Sequence, residues 1–201
     1  MLAIVFTTPA EASVLKDLAP KARLDDLEEG TPIRVGDALV AVTGAGKIKA
    51  ALATERLLRA RDVDAVVHVG TCVGLDDGPS AGAVVGVSFA LEGDRVELEA
   101  PTYPRMPLEC PFDVDVEGTL VSQDHAPEDA DELGYWERLA DVRDATGYPV
   151  AYVAAQHGTP CHIAKAVAPA AEADGTGRRH DDLAPMGVVL ERLLENGLPV
   201  A

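Results

Sequence analysis

Residues 144–169, DATGYPVAYVAAQHGTPCHIAKAVAP, constrain this chain more than any other stretch. Their pattern predicts a turn, a helix and a buried strand. Residues 148–156 are apolar on more than one face, Gly158-Thr159-Pro160 stops them, and 161–167 resumes as a short apolar run. Pro149 falls early enough in the helix that its missing N–H costs no bond. Thr146 is expected at the helix start and Pro169 just past the strand. Open α/β sheets bind ligands at strand C-terminal ends and helix N-termini, so the segment directs attention to both.

The rest of the chain alternates strands and helices. Residues 1–6 read as a buried strand and 9–18 as a short helix with Ser13 and Lys16 outward. Residues 20–30 are charged and loop-like. Residues 33–35 and 38–43 are expected to pair as a hairpin across Gly36-Asp37. Gly44-Ala45-Gly46 forms a tight turn before an amphipathic helix over 47–61, with Ile48, Leu52, Leu57 and Leu58 on its buried side. The apolar run 64–69 suits a central parallel strand, ending in a second glycine turn over 70–74. Two such strand–turn units imply α/β architecture. Further strands are expected at 83–89, 95–98, 118–122 and from Val142, with 101–111 irregular. Residues 128–139 read as a helix packing Trp136 and Leu139 inward. Residues 170–180 are small, polar and expected to be mobile, and 185–196 form a last amphipathic helix. No repeat or boundary divides residues 1–201, so one domain is expected.

A chain of 201 residues that is 47% hydrophobic can bury a full core. No apolar run is long enough to span a bilayer, and MLAIVFTTPAEAS is too short for a signal peptide, so a cytoplasmic protein is expected. The net charge of −17 argues against nucleic-acid and anionic-membrane partners, which need a basic surface. Its acidic residues are scattered over loops and helix faces, the composition of a salt-adapted or high-GC source. Cys72, Cys110 and Cys161 are odd in number and widely spaced, so neither a disulfide framework nor a metal site is expected.

Several turns can carry chemistry. Thr43-Gly44-Ala45-Gly46-Lys47 lacks the spacing of a nucleotide phosphate loop, but its backbone N–H groups can meet an anion or a sugar hydroxyl. Lys47 reads first as a solvent-facing helix residue and second as a charge near a pocket. Cys161 and His162 are strand neighbours that point to opposite faces, so a buried cysteine and a packed histidine are expected rather than a reactive pair.

These segments together resemble the nucleoside phosphorylase and nucleosidase superfamily, particularly its short methylthioadenosine/S-adenosylhomocysteine nucleosidase-like proteins. Thr43-Gly-Ala-Gly-Lys-Ile48 is similar to the family's S/T-G-I-G-K-V turn. Val66 to Gly74 resembles its strand and N-x-G-T/S-A-G segment, Ser122-Gln-Asp124 its S/T-G-D. Residues 144–169 resemble D-M-E-G-Y-A-V-A…G-V-P…K/R-x-V-S-D, with Gly147, Ala151, Gly158, Pro160, Lys165 and Val167 in register. The resemblance implies a three-layer α/β/α phosphorylase-like fold with a central mixed, twisted sheet, a nucleoside-type ligand, no cofactor and a homodimer. It places Glu11 as the water-activating residue and Thr43, Gly44, Gly46, Thr71, Ser122, Thr146 and Gly147 around the ligand; Asp124 and His125 are further acid–base candidates should the chemistry differ from the family's.

The chain also departs from the pattern. Thr146 stands where the family has a ribose-binding Glu, and Pro169 where it has the Asp that protonates the leaving base. A base-stacking aromatic is expected near Ala126, with His125 the nearest ring. General-acid help is worth ~10²–10⁴-fold, and Pro169 supplies no proton. Glu172 or Asp174 would have to reach in as a substitute. Three readings follow: an N-ribosyl hydrolase with impaired or altered catalysis, a non-catalytic nucleoside-binding or regulatory protein, or an enzyme with different acid–base chemistry in the same pocket.

Overall fold

The computed structural model describes residues 1–18, 24–75, 78–94, 105–125, 130–169 and 183–195. Strand β1 (Leu2–Phe6) is followed by two short helices, α1 (Pro9–Ser13) and α2 (Leu15–Leu18), and by the hairpin of β2 (Ile33–Val35) with β3 (Ala38–Val42). Helix α3 (Lys47–Ala60) leads into β4 (Ala65–Gly74), then β5 (Val84–Glu92), β6 (Arg105–Pro107) and β7 (Val116–Ser122). Helix α4 (Ala130–Glu137), β8 (Val142–Asp144), α5 (Gly147–Gln156), β9 (Cys161–Ala168) and α6 (Ala184–Glu195) complete the described chain.

The strands form one mixed sheet in the order β2-β3-β1-β4-β8-β7-β5-β6. β9 lies parallel to β4 and antiparallel to β5, so β4, β9, β5, β7 and β8 close into a ring. Side chains of β1 alternate as a pleat requires. Ile4 and Phe6 enter a core layer shared with Leu15 and with Met186, Val189, Leu190 and Leu193 of α6. Ala3 and Val5 enter the opposite layer with Ala50 and Leu57 of α3 and Val150, Ala151 and Ala154 of α5. The result is the expected α/β/α arrangement.

Several sequence expectations change. The expected turn at 70–74 is strand: β4 runs to Gly74, with Gly70 and Thr71 paired to Lys165 and Ala166. Helix α3 buries Ala50, Ala53, Thr54 and Leu57, while Ile48 is 76% and Leu52 51% exposed. Small residues let α3 approach α5 closely, and that contact selects the buried face over the larger side chains. Trp136 is buried as expected, but Leu139 lies beyond α4 and is 37% exposed. The segment expected to be irregular contributes β6, an edge strand against β5. The helix expected over 9–18 divides at Val14. The strand expected at 95–98, the start of the helix at 128 and the segment 170–180 lie outside the described residues. No helix among the described residues is long and apolar enough to cross a membrane.

Candidate functional site

A cavity of about 340 Å³ opens where β1, β4, β7 and β8 end and α1 and α5 begin. Glu11, Thr71, Asp124, His125 and Thr146 all line it. The sequence therefore brings together three candidate acid–base residues and two hydroxyls from across the chain.

Glu11 is fixed by a capping box. Thr8 accepts from the Glu11 N–H, and the Glu11 carboxylate reaches back to the Thr8 N–H at 3.1 Å. The same oxygen, Oε2, accepts from Thr7 N–H at 3.0 Å. Oε1 accepts from the Thr71 N–H at 2.8 Å and the Thr71 hydroxyl at 3.0 Å. A buried carboxylate is thus held by four donors, with its orientation set from both α1 and β4.

Beside it lies a buried polar cluster that sequence reasoning missed. Lys165 on β9 and His68 on β4 are fully buried. Lys165 Nζ donates to Asp144 Oδ2 at 2.8 Å and to His68 Nε2 at 2.9 Å. His68 Nδ1 faces the Val5 carbonyl at 2.9 Å, so Nδ1 carries the proton and Nε2 accepts. Thr146 Oγ1 lies 3.0 Å from that Nε2 and 2.9 Å from Thr7 Oγ1. Burial, reinforced by the Lys165 charge, pushes the His68 pKa down to about 3 and keeps the ring neutral. Burial alone would raise the Asp144 carboxyl; the Lys165 charge, with hydrogen bonds from Lys165 and the Ser122 hydroxyl, outweighs it and holds Asp144 below its usual value. Gly70 is the gap between the two halves of the site: a Cβ there would stand 3.0 Å from Lys165 Nζ and 3.1 Å from Glu11 Oε1. A lysine inside the apolar run 161–168 was the available signal for this cluster.

Thr146 is the N-cap of α5, as expected, but its side chain does not cap. Asp144 does so, accepting from Thr146 N–H at 3.1 Å and Gly147 N–H at 2.9 Å. Ser122 Oγ donates to Asp144 Oδ1 at 2.6 Å and accepts from Tyr148 N–H at 2.8 Å. Ser122 and Gly147 therefore support the wall without lining it. Thr43, Gly44 and Gly46 also stand behind the cavity, which Ala45 lines instead. Gly44 and Gly46 have φ of 79° and 98°, a left-handed geometry that suits glycine.

At the rim, Asp124 Oδ1 accepts the Lys47 N–H at 2.8 Å at the start of α3. Lys47 does not face solvent: its side chain is 17% exposed and its ammonium reaches Glu92 and, at 2.6 Å, Asp94. His125 Nδ1 donates to Asp94 at 3.0 Å and Nε2 to Glu132 at 2.8 Å. Two carboxylate acceptors require both ring nitrogens to be protonated, and the Glu132 hydrogen bond accordingly raises the His125 pKa. Cys161 is buried, with its thiol pushed up to about 12 by burial, and His162 packs edge-on to Phe112 with ring centroids 6.0 Å apart. Pro169 is exposed past β9, while Ala126, Glu172 and Asp174 lie outside the described residues. Among the described residues, no cluster of histidine, cysteine and acidic side chains could hold a metal ion.

No protein-family model matches the chain, and no curated protein sequence matches it. Solved structures do. The 5′-methylthioadenosine/S-adenosylhomocysteine nucleosidase of Campylobacter jejuni has a TM-score of 0.76 at 14% identity, over 97% of each chain. A futalosine hydrolase mutant of Helicobacter pylori gives 0.73 at 16% identity, again over 97% of each chain. The methylthioadenosine nucleosidase of Neisseria meningitidis, in complex with methylthio-immucillin-A, gives 0.65 at 20% identity over 84% of this chain and 85% of that one. At these identities the likeness is one of fold.

Proposed function

We propose that the chain binds a purine nucleoside or closely related small molecule in this cavity and hydrolyses its N-glycosidic bond through an altered catalytic set. The observation that carries the reading is the convergence of Glu11, Thr71, Thr146, Asp124 and His125 on one cavity at the strand ends. The solved structures of similar fold that are named as nucleosidases support it.

Hydrolysis breaks the C1′–N bond, the electron pair leaving with the base while water adds to an oxocarbenium-like sugar. In this reading Glu11 orients that water and accepts its proton. Of its four donors, only the Thr71 hydroxyl can turn away without moving backbone, which would free one lone pair for water. His125, protonated between two carboxylates, has a proton to give to the departing base once Nε2 leaves Glu132. Asp124 fixes the start of α3 beside it. Thr146 offers a ligand one hydroxyl in place of a charged carboxylate. Turnover is therefore expected to be slow.

Free base released from methylthioadenosine, adenosine and inosine tests this reading, with Glu11→Gln expected to abolish release. Neither release nor a rise in melting temperature with any of them would sink it. A second reading, binding without turnover, is favoured by the full complement of donors on Glu11; a melting shift without base release would select it.

The chain is further proposed to act as a homodimer. Ile48 and Leu52 on α3 and Tyr152 on α5 are exposed on two helices that pack together, an apolar face suited to a second copy.

A further inference from the structure

One wall of the cavity is built from Gln123 and Arg143, which the catalytic reading leaves unused. Arg143 sits in β8 between Val73 of β4 and Val121 of β7. Gln123 follows β7, two residues after Val121, and its N–H donates to the Asp144 carbonyl at 2.8 Å. By strand alternation, Gln123 and Arg143 share one face of the sheet. Gly93 clears the space for Gln123, since a Cβ there would meet Gln123 Cγ at 2.4 Å.

Among the described residues, each of the two holds a buried polar atom without a hydrogen-bond partner: Gln123 Oε1, an acceptor, and Arg143 Nη1, a donor. Gln123 Nε2 faces the Gly93 carbonyl at 3.4 Å, and since a carbonyl can only accept, its surroundings favour this amide orientation. Orphaned buried polar groups are uncommon and need a reason. Here both residues line one cavity, to which they bring an acceptor and a cationic donor. Burial also lowers the Arg143 pKa, consistent with a guanidinium held poorly solvated.

We propose that this wall reads the edge of a 6-oxopurine base, hypoxanthine or guanine, in the nucleoside site described above, and the proposal rests on that reading. Such a base presents N1–H to the Gln123 oxygen and O6 with N7 to the Arg143 guanidinium, a pairing geometry that guanidinium groups favour. Adenine reverses the edge: its N1 accepts where Gln123 also accepts, and its amino group donates where Arg143 also donates. A phosphate or carboxylate would satisfy Arg143 but bring no donor to Gln123.

Calorimetric titration of the full chain with inosine, guanosine, adenosine and AMP tests the assignment. Inosine and guanosine should bind at least about tenfold more tightly than adenosine, the lower end of the discrimination a good bidentate pair gives. Arg143→Met and Gln123→Leu should each reduce that preference severalfold, and Arg143→Lys, which keeps the charge but not the fork, should reduce it too. Adenosine binding as tightly as inosine overturns the proposal while leaving the nucleoside site standing. Binding of AMP with no nucleoside binding overturns it in favour of anion recognition. Absence of binding by all four overturns the site and the proposal together. Where a variant melts early, the wild-type preference alone decides.

Discussion

Lys165 Nζ and Asp144 Oδ2 lie 2.8 Å apart, the lysine side chain with no exposure and the aspartate with 4%. Breaking a buried pair by removing one partner is strongly destabilising because the other charge remains unpaired. Lys165→Met should therefore cost about 3–5 kcal/mol in urea denaturation. A loss below about 1 kcal/mol would mean that Asp144 is adequately served by Ser122 and the α5 N–H groups alone.

His68 gives the cluster a pH signature. Unfolded, it binds a proton near pH 6.5; folded, it does so only near 3. Between those values the unfolded chain holds more protons, so stability falls as pH drops, by at most about 1.4 kcal/mol per pH unit from this one group. Asp144, lowered in the fold, extends the trend to more acidic pH. His68→Asn should flatten the slope between pH 6.5 and 4. Urea midpoints at successive pH values measure it, and an unchanged slope would assign the effect elsewhere.

Glu11→Gln has a structural cost beside its expected loss of turnover. Two donors converge on each carboxylate oxygen, and an amide nitrogen accepts from none of them. Whichever way the amide turns, backbone N–H groups lose a partner, so a loss of about 1–3 kcal/mol is expected by denaturation. The Thr71 amide and the Thr7 and Thr8 amides should be the ones whose hydrogen exchange accelerates.

The rim should respond to pH in the opposite direction. His125 is raised chiefly by its hydrogen bond to Glu132, so its contribution is complete below its unfolded pKa and fades as pH rises through the higher folded value. An NMR titration should place His125 above 6.5, and Glu132→Gln should bring it down. A His125 pKa insensitive to that change would place its stabilisation in Asp94 alone.

The exposed face of α3 makes a separate prediction. Ile48→Glu with Leu52→Glu should leave the melting temperature of the monomer near its original value, since neither side chain enters the core. Sedimentation should then show a shift from dimer to monomer. An already monomeric wild-type chain would remove the homodimer proposal.

Local pattern made much of the architecture readable. The hairpin at Gly36-Asp37, the helix over Gly147–Gln156 and the strand over Cys161–Ala168 follow from turn chemistry and apolar runs. Gly70 misled because glycine usually punctuates a strand; here its missing side chain makes room for Glu11 and Lys165. Ile48 and Leu52 misled because α3 has apolar residues on two faces, and only packing against α5 decides between them. Glu11, Thr71, Asp124 and Thr146 were singled out from family-like spacing and line the cavity; Thr7, Thr8 and Asp144, which line it too, carried no such signal. The Lys165–His68 contact was not legible, since it joins residues 97 positions apart on neighbouring strands.

Strand β8 is only Val142–Asp144, yet it delivers Arg143 and Asp144 to opposite faces of the sheet. Its register is held from both sides, by Leu75 N–H on the Asp141 carbonyl at 3.0 Å and by Asp141 N–H on the Thr119 carbonyl at 2.9 Å. A slip of one residue that carries Arg143 into the place of Asp144 would turn each side chain to the other face. The cation would then meet Lys165 in the interior, and the carboxylate would take over the wall beside Gln123. In evolutionary terms, a single-codon insertion or deletion between α4 and β8 reaches further than any point mutation in the cavity: it would invert what the pocket selects and unpair what the core has buried.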